Sequence, residues 1–265
     1  MESDFNYNNI PNGYYDNIFH LDKGIRGFWH WSKFETVKKM ITSSDANASS
    51  DASTSQKKIL DIGCFSGTFL GTLPQNKFPT QIGVDILEDQ INFANSKYKT
   101  NFRNFIQISD LGNILSSEYN NFFDVVTVIE VIEHLNSSEI LDLLNGICRV
   151  LKKDGELLIT TPNYFSFWPF LEFYLNKFSD ISYEEQHITK FTFFNFERKI
   201  SSIMNEFFNL FDIEIKTTSH LLAPFVAGFN YSLAQKIASA IDVKYWKIFL
   251  GPLLVLKCRY KNQPL

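Results

Sequence analysis

The stretch Ile59-Leu60-Asp61-Ile62-Gly63-Cys64-Phe65-Ser66-Gly67-Thr68-Phe69-Leu70 decides the fold. Apolar residues around one acid read as the end of a buried strand. Gly63 and Gly67, four apart, then turn the backbone, and Thr68-Phe69-Leu70 opens a helix. Glycines at a strand-to-helix turn let the backbone approach a ligand, and a helix N-terminus favours polar or anionic groups. The stretch therefore predicts a nucleotide-type cofactor site at the first strand of an α/β sheet.

Working outward, strand and helix patterns alternate, the sign of a parallel sheet with helical crossovers. Strands are expected at 57–62, 80–86, 105–109, 123–129 and 155–161, and helices at 67–73, 88–98 and 137–151. Gly155 fits a turn between the third helix and the fifth strand. Two further β-rich segments, 210–217 and 252–260, bring the sheet to about seven strands with helices on both faces. Residues 163–190 then form an insertion after the fifth strand, and 218–248 a second one between the last two strands. Both are expected beyond the carboxyl ends of the strands, where ligands bind in such sheets. Ahead of this 57–265 domain, residues 1–42 form a cap segment with Tyr14-Tyr15 and Gly27-Phe28-Trp29-His30-Trp31-Ser32-Lys33-Phe34. Residues 34–41 show helical spacing. Residues 43–56 are a polar low-complexity stretch expected to be a flexible loop.

The bulk properties narrow the function classes. With 265 residues and 45% hydrophobic content, the chain is long and apolar enough for a full core. A net charge of −4 offers no general attraction to nucleic acid or anionic lipid, and the basic residues occur in pairs rather than long runs. Cys64, Cys148 and Cys258 are odd in number and widely spaced, which argues against a disulfide framework and for a reducing compartment. Met1-Glu2-Ser3-Asp4 lacks the basic start and apolar core of a signal peptide, and no apolar run reaches the roughly 18 residues of a bilayer span. A cytoplasmic location is expected.

A second signal is Gln81-Ile82-Gly83-Val84-Asp85-Ile86, where an acid ends the second strand and suits a ribose diol. NAD-binding domains share that device. Their G-x-G-x-x-G turn, however, does not fit Gly63-Cys64-Phe65-Ser66-Gly67-Thr68. The glycine stretch resembles the first motif of class I S-adenosylmethionine (SAM) methyltransferases, D-x-G-x-G-x-G, with Phe65 where the central glycine is expected. The resemblance implies a Rossmann-like, mostly parallel seven-stranded sheet with an antiparallel last strand pair, and SAM as cofactor. It implies that Asp61 holds the methionine amino group, while Gly63, Cys64, Phe65 and Gly67 form the turn around it. Asp85 with Ile86 would meet the ribose, and Asp110 with Leu111 the adenine. For Asp110 the alternative is a helix or turn cap. Phe65 allows two readings: its ring closes the glycine-sized gap, or its backbone stays at negative φ and the ring turns away. The second is expected.

Phe123-Asp124-Val125-Val126-Thr127-Val128-Ile129-Glu130-Val131-Ile132-Glu133-His134-Leu135 carries the chemistry. Glu130, Glu133 and His134 are spaced i, i+3, i+4, so one helical turn would bring them to one face. Two carboxylates and an imidazole suit a divalent metal such as Mg, or a base oriented by an acid. The E-x-x-E-H pattern resembles the ubiquinone-biosynthesis O-methyltransferases and the small-RNA 3′-end 2′-O-methyltransferases. In both, the resemblance implies a metal held by Glu130, Glu133 and His134. The RNA enzymes add a downstream histidine, for which His187 is the candidate. His134, with Glu130 or His187, is expected to take the acceptor proton. Metal-free methyltransferases also carry E-H-L here, with the glutamate capping the helix or touching the cofactor and the histidine facing the substrate. Thr161-Pro162-Asn163-Tyr164 is similar to the N-P-P-Y motif of nucleic-acid amino-methyltransferases but follows the fifth strand instead of the fourth, which disfavours base N-methylation.

The segment after the fifth strand resembles a methyltransferase subset with P-N-Y-x-S-x-W-P, E-E-Q-H-I-T-x-F-T and an N-terminal W-H-x-x-K-F, matched here by Trp29 to Phe34. An aromatic lid is expected there, with Trp168, Phe170, Phe173 and Tyr174 holding an aromatic or lipid-like acceptor. Together with Leu221-Leu222-Ala223-Pro224-Phe225-Val226 it offers a peripheral membrane contact, while packing of the two segments on each other as core or as a dimer interface is the alternative. The leading expectation is O-methylation of a small, quinone-like, lipid-linked or glycan acceptor, with no nucleic acid. The alternatives are a metal-assisted RNA 2′-O-methyltransferase and a SAM-binding, non-catalytic partner protein.

Overall fold

The computed structural model describes residues 6–42, 56–177, 186–240 and 249–261. Seven strands form one sheet: β1 (Lys58–Ile62), β2 (Thr80–Asp85), β3 (Arg103–Gln107), β4 (Phe123–Ile129), β5 (Leu151–Pro162), β6 (Phe211–Ser219) and β7 (Leu253–Tyr260). Their order is β3-β2-β1-β4-β5-β7-β6. The first five pair in parallel, and β7 runs antiparallel between β5 and β6. The order reverses at β1, so the carboxyl ends of β1 and β4 flank a switch point where ligands bind in sheets of this kind. Lys152 to Gly155 lie inside β5 rather than between a helix and a strand. Phe123 pairs with Leu151 and Val125 with Glu156, so the extra residues are extruded as a bulge, with Asp154 at φ 63°.

Alternation along the strands sets the two layers. On β1 and β4, Leu60, Ile62, Val126 and Val128 face α5 (Ser137–Val150) and pack on Ile140, Leu143, Leu144 and Ile147. Ile59 and Val125 point to the opposite face, against Val37, Met40 and Ile41 of α2 (Ile25–Thr42) and Phe69 and Leu70 of α3 (Thr68–Gly71). Asp61 shares that second face, which turns its carboxylate toward the α2 side. Ahead of α2, α1 (Tyr14–Leu21) packs beside the glycine turn, and α4 (Glu88–Tyr98) follows β2.

The first insertion contributes α6 (Trp168–Lys177), with residues 178–185 outside the described residues. It is followed by α7 (Phe196–Ile203) and α8 (Phe207–Leu210). The second insertion holds α9 (Ala223–Ala227) and α10 (Tyr231–Ala240), whose alanines pack on Phe28 of α2. Residues 241–248 and 43–55, including nearly all of the expected polar loop, lie outside the described residues.

Candidate active site

A cavity of about 570 Å³ opens at the carboxyl ends of β1, β2 and β4. Asp61, Gly63, Cys64, Phe65, Asp85, Ile86, Leu111, Glu130, Glu133, His134 and His187 all line it. Gly67 and Asp110 do not. Gly67 sits at φ 75° beneath the turn, where a Cβ would lie 2.6 Å from the Phe105 ring. Asp110 is exposed, and its Oδ1 accepts the Asn113 backbone N–H at 2.6 Å, a local turn cap.

The glycine turn differs from its expected form. Phe65 adopts φ 47°, the left-handed region rather than negative φ. Its N–H donates to Asp85 Oδ2 at 2.8 Å, and its ring tilts against Tyr15 of α1, 5.0 Å between centroids. The N–H groups of Gly63 and Cys64 both reach the Val84 carbonyl, and that of Gly67 the Cys64 carbonyl. The N–H groups of Gly63, Cys64, Phe65 and Gly67 are thus engaged within the protein. The acceptors beside the turn are the Asp61 and Asp85 carboxylates, which suit an ammonium and a diol.

Asp61, 2% exposed, accepts the Thr127 hydroxyl at 2.6 Å, and burial pushes its carboxyl up to about 7. A cationic ligand beside it would restore the charged form. Asp85 accepts the Leu87 N–H at 3.0 Å as well as that of Phe65, and burial raises its carboxyl too. Its second lone pairs remain for a diol. Ile86, Ile108 and Leu111 supply an apolar slot alongside. A buried acid, a diol acceptor and an apolar slot fit SAM.

Glu130, Glu133 and His134 do not share one helical turn. Glu130 takes φ 56°, Ile132–His134 form a single 3-10 turn, and α5 starts only after Asn136. The reversal brings Glu133 and His134 against His187 instead: one ligand atom from each lies within 4.8 Å of the others. Both Glu133 carboxylate oxygens are buried without a hydrogen bond, and the Thr161 hydroxyl lies near without completing one. Burial, and the Glu130 charge next, push Glu133 well above the usual carboxylate range.

The histidines are locked by neighbours that the sequence reading did not identify. His134 Nδ1 lies 3.0 Å from the Gln186 carbonyl and 3.0 Å from the Tyr7 hydroxyl. The carbonyl can only accept, so the proton is assigned to Nδ1 and Nε2 is left bare. His187 Nδ1 lies 2.8 Å from Glu172 Oε1 and 2.6 Å from the Tyr164 hydroxyl, which also donates to Glu172 at 2.7 Å. The same logic leaves His187 Nε2 bare. Burial raises Glu172, but the hydrogen bonds from His187 and Tyr164 outweigh it and hold the carboxyl below its ordinary value. Backbone bonds from Thr189 N–H to Glu133 O and from its hydroxyl to Leu135 O clamp the His187 segment onto the end of β4.

The aromatic lid is only partly a pocket wall. Trp168 is buried, 4.8 Å from the Trp29 ring, and lines the cavity. Phe170, Phe173 and Tyr174 point outward, 68%, 70% and 40% exposed, and do not line it, because α6 turns its Trp168-Leu171-Leu175 stripe inward. The cavity walls the sequence reading missed come from the N-terminus: Tyr7, Tyr15, His30 and Lys33.

A Rossmann-like sheet with an acid-and-glycine first loop and a cavity at its switch point defines a nucleoside-cofactor enzyme of the methyltransferase class. Residues 40–207 match the family profile described as "Methyltransferase domain", and the chain belongs to that family as a SAM-dependent methyltransferase. Among solved structures it is similar to magnesium protoporphyrin IX methyltransferase (ChlM) from Synechocystis PCC 6803 with bound SAH, at 15% identity and TM-score 0.56, covering 93% of each chain. It is also similar to the plantazolicin methyltransferase BpumL in complex with SAH (18%, TM-score 0.56, 93% of this chain and 88% of that one). A third is the methyltransferase domain of bacterial CtHen1 (17%, TM-score 0.55, 87% and 98%). At these identities the likeness is one of fold.

Proposed function

We propose that this enzyme moves the SAM methyl group to an oxygen of a small, quinone-like, lipid-linked or glycan acceptor. The observation that carries the reading is the meeting, at the end of β4, of one buried carboxylate and two histidines whose Nδ1 atoms are already engaged. When bound, SAM supplies an electrophilic methyl on its sulfonium. Asp61 receives the methionine ammonium, Asp85 the ribose diol, and Ile86, Ile108 and Leu111 the adenine. Methyl transfer by in-line displacement needs little covalent help from the protein, so positioning dominates.

His187 takes the acceptor hydroxyl proton at Nε2, and Glu172 behind it stabilises the imidazolium that forms. This moves the base from His134, the residue expected from sequence. Burial, with the neighbouring His187 next, lowers His134 to about 3. So weak a base is better suited to accept a hydrogen bond or to ligate.

A second reading rests on the orphaned Glu133 carboxylate. Glu133, His134 and His187 fit a divalent cation, with Glu172 and the Gln186 carbonyl holding the imidazoles from behind. Two imidazoles and one carboxylate favour a nitrogen-seeking ion over Mg. When bound, such an ion lowers the pKa of a coordinated hydroxyl.

Transfer of labelled methyl from SAM across lipid, quinone, sugar and RNA fractions, with and without a chelator, tests both readings. Label in a non-RNA fraction that falls at least about a hundredfold in His187→Ala is expected. Label confined to RNA would overturn the acceptor class, and chelator-insensitive turnover would remove the cation.

A further inference from the structure

Two groups from the Trp29 to Phe34 motif enter the cavity without a task in this scheme. His30 and Lys33 lie one turn apart on α2, so they share a face. Both are buried and both line the cavity. His30 Nε2 has no hydrogen-bond partner. Lys33, with all its interactions accounted for, makes no hydrogen bond or ion pair among the described residues; its ammonium only lies 5.7 Å from the Phe34 ring centroid. A buried ammonium left unpaired is costly, and the cost is removed when a ligand supplies the counter-charge. Within the chain, the carboxylates whose charge acts on it are Glu130 and Glu133. Lys33 feels both, yet neither closes to ion-pair distance, and Glu130 Oε1 and both Glu133 oxygens stay unpartnered. All of these groups line the same cavity, so a ligand there can reach the Lys33 ammonium.

We propose that His30 and Lys33 form an oxyanion subsite in the cavity wall that takes a carboxylate-class group. Two sources carry that chemistry: the methionine carboxylate of SAM, or an acidic group on the acceptor. The proposal rests on the cofactor reading above for the first source only. Burial also lowers Lys33 from the usual ammonium range, as expected for a cation waiting for its partner.

Calorimetric titration of SAM and of 5′-methylthioadenosine, which lacks the amino-acid end, into wild type, Lys33→Met and Lys33→Arg separates the sources. If the methionine carboxylate binds here, Lys33→Met loses about tenfold or more in SAM affinity, methylthioadenosine binds unchanged, and Lys33→Arg recovers most of the loss. If the acceptor's acid binds here, SAM affinity is unchanged, while the SAH-saturated wild type binds acetate or phosphate and Lys33→Met does not. Lys33→Met is expected to fold, because it replaces an unpaired buried charge with an apolar chain of similar length; Lys33→Gln serves as the second variant. Unchanged SAM affinity together with no Lys33-dependent anion binding overturns the proposal. Wild type that binds no SAM would sink the cofactor reading, and acetate and phosphate titrated into the cofactor-free wild type and Lys33→Met would then decide the subsite.

Discussion

Phe65 and Glu130 both hold positive φ, at 47° and 56°, and both line the cavity. A bulky residue in that region is strained by about 1–3 kcal/mol and persists only where its surroundings over-determine it. At Phe65 those surroundings are the Asp85 carboxylate on its N–H and the Tyr15 ring on its side chain. The motif's acid at Asp85 thereby acts on the turn as well as on the cavity. Asp61 yields a pH prediction. Its folded carboxyl is raised from 3.8 to about 7, so the folded state keeps a proton that the unfolded chain has lost. The Asp61 contribution to stability is fully present below pH 3.8 and is lost as pH rises through about 7. A bound ammonium favours the ionised form, so SAM affinity should rise between pH 5 and 8, and Asp61→Asn should bind weakly with a flat profile. Calorimetric titration across that range checks it. A wild-type affinity independent of pH would remove Asp61 as the ammonium partner.

At the scale of elements, the segment from β4 to α5 brings Glu130, Glu133 and His134 to the cavity. Helical spacing of Glu130, Glu133 and His134 suggested one turn, but the α-helix starts only where Asn136 caps it. Asn136 accepts from Ser138 and Glu139 N–H, and Glu139 returns a bond to the Asn136 N–H. This capping box leaves the preceding residues free to reverse direction. Asn136→Ala should cost about 1 kcal/mol, or about 2–4 °C in Tm for a chain of this size. A matching drop in turnover is expected, because His134 sits two residues before the cap. Thermal melting beside a methyl-transfer assay reads both, and a turnover loss without a Tm change would break the link.

At the scale of the whole molecule, the surface around α6 is unusually apolar. Phe165, Phe194 and Phe249, from three segments, touch one another at 5.1–5.9 Å and are all exposed. The buried Asn163 side chain ties these segments, accepting from Phe165 and Phe193 N–H and donating to the Phe249 and Gly251 carbonyls. Among the described residues no helix is long and apolar enough to cross a membrane. Exposed rings of this kind meet a partner or a lipid surface, and vesicle binding separates the two. Phe170→Ser with Phe173→Ser should reduce co-sedimentation with phosphatidylcholine vesicles and leave SAM affinity and Tm unchanged. Equal co-sedimentation of both proteins would assign the patch to another partner.

The sheet, its strand positions and the cofactor end were legible because each rests on local signals: apolar runs of strand length, glycine at a turn, an acid at a strand end. The same locality explains the errors. That Phe65 takes a positive φ depends on Asp85 and Tyr15, 20 and 50 residues away. That Phe170 and Phe173 face outward depends on which stripe of α6 meets Trp29. The sequence by itself determined the class of enzyme and its methyl donor, since those reside in contiguous residues with fixed spacing. Only the tertiary structure decided which groups meet in the cavity. It joined Glu133 and His134 to His187, set Glu172 behind that histidine, and brought His30 and Lys33 of the N-terminal helix into the same cavity. These residues lie far apart in the chain, and only packing on both faces of one sheet brings them to a common point.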